Sequence, residues 1–411
     1  MSVRKRTWTG KGGVERASWI CDYFDGKGVR RQKTFGKKRE ADAFASKADV
    51  EVREGVHIAD RDSITVKQAG KLWITTGEGE GLERSTIEQR KRHLKFHIED
   101  FIGDKLVSKM TVSLIREFED QLREAGRSAA MVKKVLVSLG GILGDAVERG
   151  LAMRNPVRDM RQRRNGKDKR SEKRHKGKLR AGVHIPAPAE ARAIINALDG
   201  SWRPLLITAI FTGMRSSELR GLRWEDVDLE GRSISVNQRA DEYGKIGRPK
   251  SEAGQRTIPI PPIVVNTLRE WRLVCPRRDT GKVDDAGNPI MELHFVFPNG
   301  KGNLESHANI INRGLIPAQI KAGVSIDTRK VDKDGNPIMQ AKYTGLHSLR
   351  HFFASWCINR KVDGGLELPV KSVQERLGHS SIQMTLDTYG HLFPRGDDAD
   401  ELAAAERSLL G

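Results

Sequence analysis

The sequence predicts a multidomain, mainly α protein, with a small β-sheet plus helix at the N-terminus, a helical middle unit and a mixed α+β C-terminal unit. Three observations lead there. Alternating strand-like runs are concentrated near the N-terminus and again in short stretches beyond residue 230. Between them, apolar residues recur at helical spacing. From Arg161 to Arg180, eleven Lys and Arg face two acids, a net charge of 11 − 2 = +9 with almost no apolar residue, which cannot pack a core. That run reads as a basic linker at 161–182 and divides the chain.

In the first unit, residues 1–60, the runs Ala17–Phe24 and Arg30–Phe35 alternate about a turn at Asp25-Gly26-Lys27-Gly28. A helix follows from Lys38 to Glu54, because Ala41, Phe44, Ala45, Ala48 and Val52 share one face. Arg30, Arg31 and Lys33 suit either a β-ribbon entering a DNA groove or a solvated strand face. In the middle unit, 63–160, Ser85-Thr86-Ile87-Glu88 matches a capping box, a second helix opens near Ser113, and a third spans Ser128 to Glu148. Arg84, Arg90, Lys91, Arg92 and Lys95 cluster on the first of these, as a helix lying on phosphates or as a charged solvent face.

The third unit, 183–411, opens with a helix start at Pro186–Glu190 and a buried helix, Leu205–Phe211, ending at Thr212-Gly213. Ile234–Val236 and Arg256–Ile260 form a long hairpin whose polar excursion carries Lys245 and Lys250. Residues 282–291 and 330–339 echo each other at eight of ten positions, and their Asp-x-Gly-Asn-Pro chemistry predicts turns in surface loop insertions with no catalytic part. At the C-terminus Leu402, Ala405, Leu409 and Leu410 make an apolar stripe that needs a surface, on a neighbouring protomer or on its own.

Composition narrows the function. A formal charge of +19 over 411 residues attracts polyanions, nucleic acid first, with a basic ribosome-associated protein as the plain alternative. No apolar run approaches the ~20 residues of a membrane helix, and the basic start lacks an apolar signal core, so a cytoplasmic, DNA-associated protein with no membrane partner is expected. Cys21, Cys275 and Cys357 are too scattered for a disulfide framework or a Cys-x-x-Cys metal site and read as reduced and structural.

One constellation of residues carries chemistry. Arg215, in Thr212-Gly213-Met214-Arg215-Ser216-Ser217-Glu218, sits past a glycine turn at the mouth of a helix, where an anion is favoured. His347, Arg350 and His351 share a helical face, and Leu377-Gly378-His379 precedes Thr388-Tyr389-Gly390. Singly, each has a bland reading as an ion-pair partner or a half-buried anchor. His347 and His351 are spaced like zinc ligands, but no Glu lies between them as in His-Glu-x-x-His.

Together, Arg215, His347, Arg350, His379 and Tyr389 in this order resemble the tyrosine recombinase (phage integrase) family over roughly residues 184–395. The two preceding units resemble the arm-binding and core-site-binding domains of temperate-phage integrases. The resemblance implies that Arg215 and Arg350 grip the scissile phosphate, that His347 and His379 assist, and that Tyr389 attacks. It also implies that Glu218 buttresses Arg215 and that a hairpin lysine protonates the leaving hydroxyl. Lys250 matches that placement, with Lys245 a second candidate and Tyr343 the reserve nucleophile. Expected partners are double-stranded DNA attachment sites, further copies of the chain in a tetramer on DNA, and accessory DNA-bending or directionality proteins. No cofactor or metal is implied.

The chemistry holds without the family name. Two guanidiniums bind the charge that develops on nonbridging phosphate oxygens, and a neutral phenol with a pKa near ~10 needs a base, for which His347 is the choice. The expected function is site-specific recombination through a 3′-phosphotyrosyl intermediate, integrating or excising phage or mobile-element DNA. A type IB topoisomerase and a non-catalytic DNA-binding regulator are the alternatives.

Overall fold

The structure is a computed structural model that describes every residue except 11–13, 26–27, 54–62, 164–177, 394–398 and 411. Most of the expected basic linker and the tip of the first turn lie outside the described residues. The chain divides into two compact units, Met1–Lys176 and Gly177–Gly411.

The first unit opens with an antiparallel meander of β1 (Ser2–Thr9), β2 (Glu15–Phe24) and β3 (Arg30–Phe35), in the order β1-β2-β3. The alternation puts Cys21 and Tyr23 on one face, both buried, and helix α1 (Lys38–Arg53) covers that face through Phe44, which meets the rings of Tyr23 and Phe35. Asp22 accepts hydrogen bonds from Arg4, Arg30 and Gln32 across all three strands.

The helices α2 (Val66–Gly79), α3 (Arg84–His93), α4 (Val112–Glu124), α5 (Ala129–Glu148) and α6 (Pro156–Arg163) follow. Ile115, Phe118, Leu122, Leu139, Ile142 and Leu143 are completely buried in their core. The hydroxyls of Thr111 and Ser128 cap the amides of Leu114 and Met131, so the helix expected near Ser113 starts at Val112. The expected capping box at Ser85–Glu88 does not form, because α3 starts earlier, with Glu83 at its cap and no side-chain bond there. Packing sets that start: Leu82, Ile87 and Arg90 close on Gly77 of α2, leaving no room there for a side chain. The box that does form is Thr65 with Gln68, at the head of α2. Helix α6 also runs to Arg163, into the span expected to be linker.

The second unit contains α7 (Pro188–Ala197), α8 (Trp202–Thr212) and α9 (Ser216–Gly221), then the sheet of β4 (Val227–Asp228), β5 (Ser233–Val236) and β8 (Arg256–Pro259). Between β5 and β8 the chain makes a small ribbon, β6 (Arg239–Ala240) with β7 (Ile246–Gly247). Helix α10 (Pro262–Val274) packs on α8, and α8 on α11 (His347–Ile358). Helices α12 (Val370–Leu377), α13 (Ile382–Tyr389) and α14 (Ala399–Leu410) close the chain. One apolar core joins α8, the sheet and α10, and a smaller one joins Phe353, Cys357, Val373, Leu377 and Tyr389. All three cysteines are buried and unbridged, and no described helix is long and apolar enough to cross a membrane.

The echoed segments correct the expectation of plain loops. Each is a two-stranded hairpin, β9 (Arg278–Val283) with β10 (Pro289–Glu292), and β11 (Ser325–Val331) with β12 (Pro337–Ala341). The turns themselves are as expected: Asp284 accepts from the amides of Ala286 and Asn288, and Asp332 from those of Asp334 and Asn336. These strands carry no strand signal in the sequence, because their residues, Ile290, Met291, Ile338 and Met339 among them, are exposed and lack the alternation of a half-buried strand.

Arg90 shows how packing claims a cation. Its guanidinium lies 4.0 Å from the centre of the Trp73 ring and donates to the Trp73 carbonyl. Arg90→Ala should therefore destabilise the chain by ~1–2 kcal/mol, the sum of one cation–π contact and one hydrogen bond. The exposed neighbour Arg92→Ala should leave thermal unfolding unchanged. Equal melting of the two variants would return Arg90 to the set of free surface cations.

Candidate active site

The carboxyl end of α12 organises the site. The last carbonyls of a helix have no partner within it and carry the negative end of its dipole. Here three consecutive ones each accept from an arginine: Arg376 O from Arg256 Nε (2.8 Å), Leu377 O from Arg350 Nη2 (2.6 Å) and Gly378 O from Arg215 Nη2 (3.0 Å). Gly378 ends α12 with φ of +65°, and a Cβ there would stand 2.9 Å from both Ala253 O and Arg256 Nη1. Only glycine fits that corner.

Arg350 is 2% exposed, and its Nη1 also donates to Gly213 O, the left-handed cap of α8. A Cβ at Gly213 would lie 2.4 Å from the Phe353 ring. Burial, with Arg215 nearby, pushes the Arg350 pKa down to about 9, so the group remains a cation at neutral pH. Arg215 caps α9 and keeps its side chain 38% exposed.

Glu218, 2% exposed, binds two of these cations. It accepts from Arg215 at its backbone N (2.8 Å) and Nη1 (2.7 Å), and from Arg256 at Nη1 (3.2 Å) and Nη2 (2.9 Å). Burial raises its pKa, but Arg256 and Arg215 outweigh burial and hold it below the usual carboxylate range. Arg256 was absent from the expected constellation. Its place at the start of β8 was legible as a strand residue, but the salt bridge to Glu218, 38 positions away, exists only in the fold.

Tyr389 ends α13 and is 1% exposed. Its hydroxyl is hydrogen-bonded to His351 Nδ1 at 2.7 Å, and its ring stacks on that of His379, 6.3 Å between centroids and 6° from parallel. His379 Nδ1 is taken by the hydroxyl of the fully buried Thr385 (2.9 Å). His347, one helical turn before His351, holds an exposed place at the start of α11, its ring 4.5 Å from that of His351. Desolvation of the ring, then Arg350 and Arg215, lower the His347 pKa. Burial drives His351 and His379 down to about 4 and Tyr389 up to about 12, although Arg350 and Arg215 pull the phenol back.

The fold thus gathers Arg215, Glu218, Arg350, His379 and Tyr389, links His347 to them through His351, and adds Arg256. Lys250 and Lys245 stay exposed on the excursion between β5 and β8. The Lys250 end of that excursion leads into the Glu252–Gly254 turn, whose Ala253 carbonyl abuts Gly378. Tyr343 serves the core, its buried hydroxyl donating to Glu190 (2.7 Å). In the first unit, Arg30 pairs with Asp22, Arg31 with Asp25, and Lys33 lies 4.5 Å from the Phe44 ring centre. Lys91 pairs with Glu78, Lys95 lies beside the Phe96 ring, and Arg84 is exposed. Among the described residues, no three metal-ligating side chains come together.

Residues 187–395, just over half of the chain, match the model of the phage integrase family. The tyrosine recombinase XerC-like protein of Caldanaerobacter subterraneus is 24% identical over 400 residues, 90% of each chain. Among solved structures, the Tn1549 transposon integrase bound to circular intermediate DNA superposes with a TM-score of 0.60 at 20% identity, covering 84% of this chain and all of that one. A lambda integrase tetramer bound to a Holliday junction gives 0.51 at 16% identity, covering 91% and 95%. The chain belongs to the phage integrase family, the tyrosine recombinases, enzymes that break and rejoin DNA.

The depressed imidazoles predict a pH dependence. Folded His351 and His379 stay neutral down to about pH 4, whereas unfolded histidines take up protons below about 6.5. Their contribution to stability is complete above pH 6.5 and is lost as the pH falls toward 4. Glu218 adds its own loss only lower, below the ordinary carboxylate range. The melting temperature should fall between pH 7.5 and 5, and less steeply in His379→Asn. A flat profile across that interval would contradict the burial of these rings.

Proposed function

We propose that this member of the phage integrase family is a site-specific recombinase of phage or mobile-element type whose nucleophile is Tyr389. One observation carries the assignment: the buried end of α12 brings Arg215, Arg256 and Arg350 together beside Tyr389 with a single carboxylate, Glu218, among them. Three cations and one anion leave 3 − 1 = +2, which suits a phosphodiester whose charge grows as a fifth oxygen bonds to phosphorus. Arg215, with its part-exposed fork, and Arg350, locked behind it, take the nonbridging oxygens. Arg256 and Glu218 fix Arg215 and are positioning residues.

In the reaction the Tyr389 oxygen bonds to phosphorus, the bond to the 5′-oxygen breaks, and a 3′-phosphotyrosyl link holds the energy of the original diester. His347, neutral at pH 7 and exposed, takes the phenolic proton, and His379 supports the phosphate and the Tyr389 ring. Lys250 returns a proton to the departing 5′-oxygen. A 5′-hydroxyl of a partner strand then reverses the step without ATP.

The sheet with α1 is read as an arm-type DNA-binding domain, 1–60, and α2 to α6 as the core-site domain, 63–160, followed by the basic linker and the catalytic domain from 183. Arg30, Arg31, Arg90 and Lys91 have partners within the protein, and Arg92, exposed on the same helix as Arg90, is the better phosphate contact. The leucines of α14, Leu402, Leu409 and Leu410, are 65–84% exposed, which favours docking on a second copy over folding back. A tetramer on DNA, as seen for the lambda integrase, is the assembly this implies. The family match and the recombinase relatives favour this reading over the topoisomerase and regulator readings.

With a nicked suicide DNA site, Tyr389→Phe should abolish the covalent adduct while leaving DNA affinity within about twofold, and an adduct that persists would move the role to another residue. Lys250→Ala should slow cleavage by ~10²–10⁴-fold. A bridging 5′-phosphorothiolate, whose thiolate leaves without a proton, should restore it. Restoration of Lys245→Ala alone would assign the acid to Lys245.

A further inference from the structure

We infer that His351 is a positioning residue for the nucleophile, accepting the hydroxyl proton of Tyr389 and holding that hydroxyl in the core until DNA draws it out. The inference rests on the reading of Tyr389 as nucleophile given above.

Three geometric facts support it. The 2.7 Å bond joins the phenol to Nδ1 of His351, not to His347 or His379. His379 cannot substitute through its own Nδ1, which Thr385 occupies, and it meets Tyr389 face to face rather than through an edge nitrogen. Tyr389 is 1% exposed, so its oxygen cannot reach an external phosphate without leaving this place. Its ring belongs to the small core with Phe353, Cys357, Val373 and Leu377, so the hydroxyl comes out only when that packing is broken.

The direction of the hydrogen bond follows from the surroundings. His351 is faced by His347 on its own helix, by Arg350, by His184 and by Tyr389. None of these is an anion that would favour an imidazolium, so the ring is neutral; Nδ1 is the one acceptor that the buried phenol O–H meets among the described residues, which leaves the ring proton on Nε2. The phenol is buried and keeps its proton; its pKa of about 12 against about 4 for the imidazole leaves the proton on oxygen. His351 is therefore not the base in this state. It is the group that the hydroxyl must leave before His347 receives the proton.

The test measures adduct formation on the suicide site under single-turnover conditions. His351→Phe keeps a ring and removes the acceptor, and should raise the rate about threefold to tenfold, the worth of one hydrogen bond, without changing DNA affinity. His351→Asn restores an acceptor near the Nδ1 position and should bring the rate back toward wild type. An unchanged or slower His351→Phe would overturn the inference. A second measurement needs no folded His351 variant: in ¹⁵N-histidine-labelled free protein, His351 should show the Nε2–H tautomer with a hydrogen-bonded Nδ1, and Tyr389→Phe should shift that Nδ1 signal. A signal indifferent to Tyr389→Phe would overturn the inference as well. If Tyr389→Phe still forms an adduct but shifts the signal, the nucleophile reading fails and the hydrogen bond stands.

Discussion

The active site depends on the carboxyl end of one short helix. Arg215, Arg256 and Arg350 come from α9, β8 and α11, and their mutual repulsion would scatter them in any environment without compensating acceptors. The carbonyls of residues 376–378 supply these in sequence, one arginine each. A helix end offers several oxygens within a few ångströms, all pointing one way and none committed to the helix itself. Glu218 then neutralises one of the three cations and no more. The remaining charge has nowhere to go but toward a ligand.

Two glycines make this possible, for the same physical reason. Gly378 and Gly213 both adopt positive φ, both turn a carbonyl toward a guanidinium, and both lie where a Cβ would collide with a neighbour. A left-handed cap reverses the chain sharply, so the groups before and after it converge. At Gly378 the reversal also sends the chain directly into His379 and then α13, whose last residue is Tyr389. Cation placement and nucleophile placement are thereby coupled through one backbone corner.

The first unit shows how packing and charge compete for the same residues. Cations along strands and helix faces look alike in a sequence, yet Arg90 lies against Trp73, Arg31 against Asp25 and Lys33 against Phe44. An aliphatic stem covers apolar surface wherever its head finds a partner. A residue held this way is a poorer phosphate ligand than one such as Arg92, which is exposed. Overall charge identifies the kind of partner, and side-chain geometry identifies which residues are free to meet it.

Much of this protein was legible in its sequence because the signals are local. Periodicity located the second and third strands of the meander but not the first, Ser2–Thr9, together with the Ser128-capped helix and the strand pair about the lysine excursion, and the order of Arg215, His347, Arg350, His379 and Tyr389 identified the family that the matched model shows. The failures are nonlocal. The Ser85–Glu88 box satisfied a local rule, but the contacts of Leu82, Ile87 and Arg90 with Gly77 fixed the helix start instead. The echoed hairpins lacked alternation because both faces are exposed. Arg256 and His351 act through partners 38 residues away, at Glu218 and Tyr389. The sequence by itself determined the chemical types and their order, because those are covalent. Only the tertiary structure decided which arginine faces outward, which carbonyl holds it and which histidine touches the phenol, because burial and hydrogen-bond geometry are properties of the folded chain.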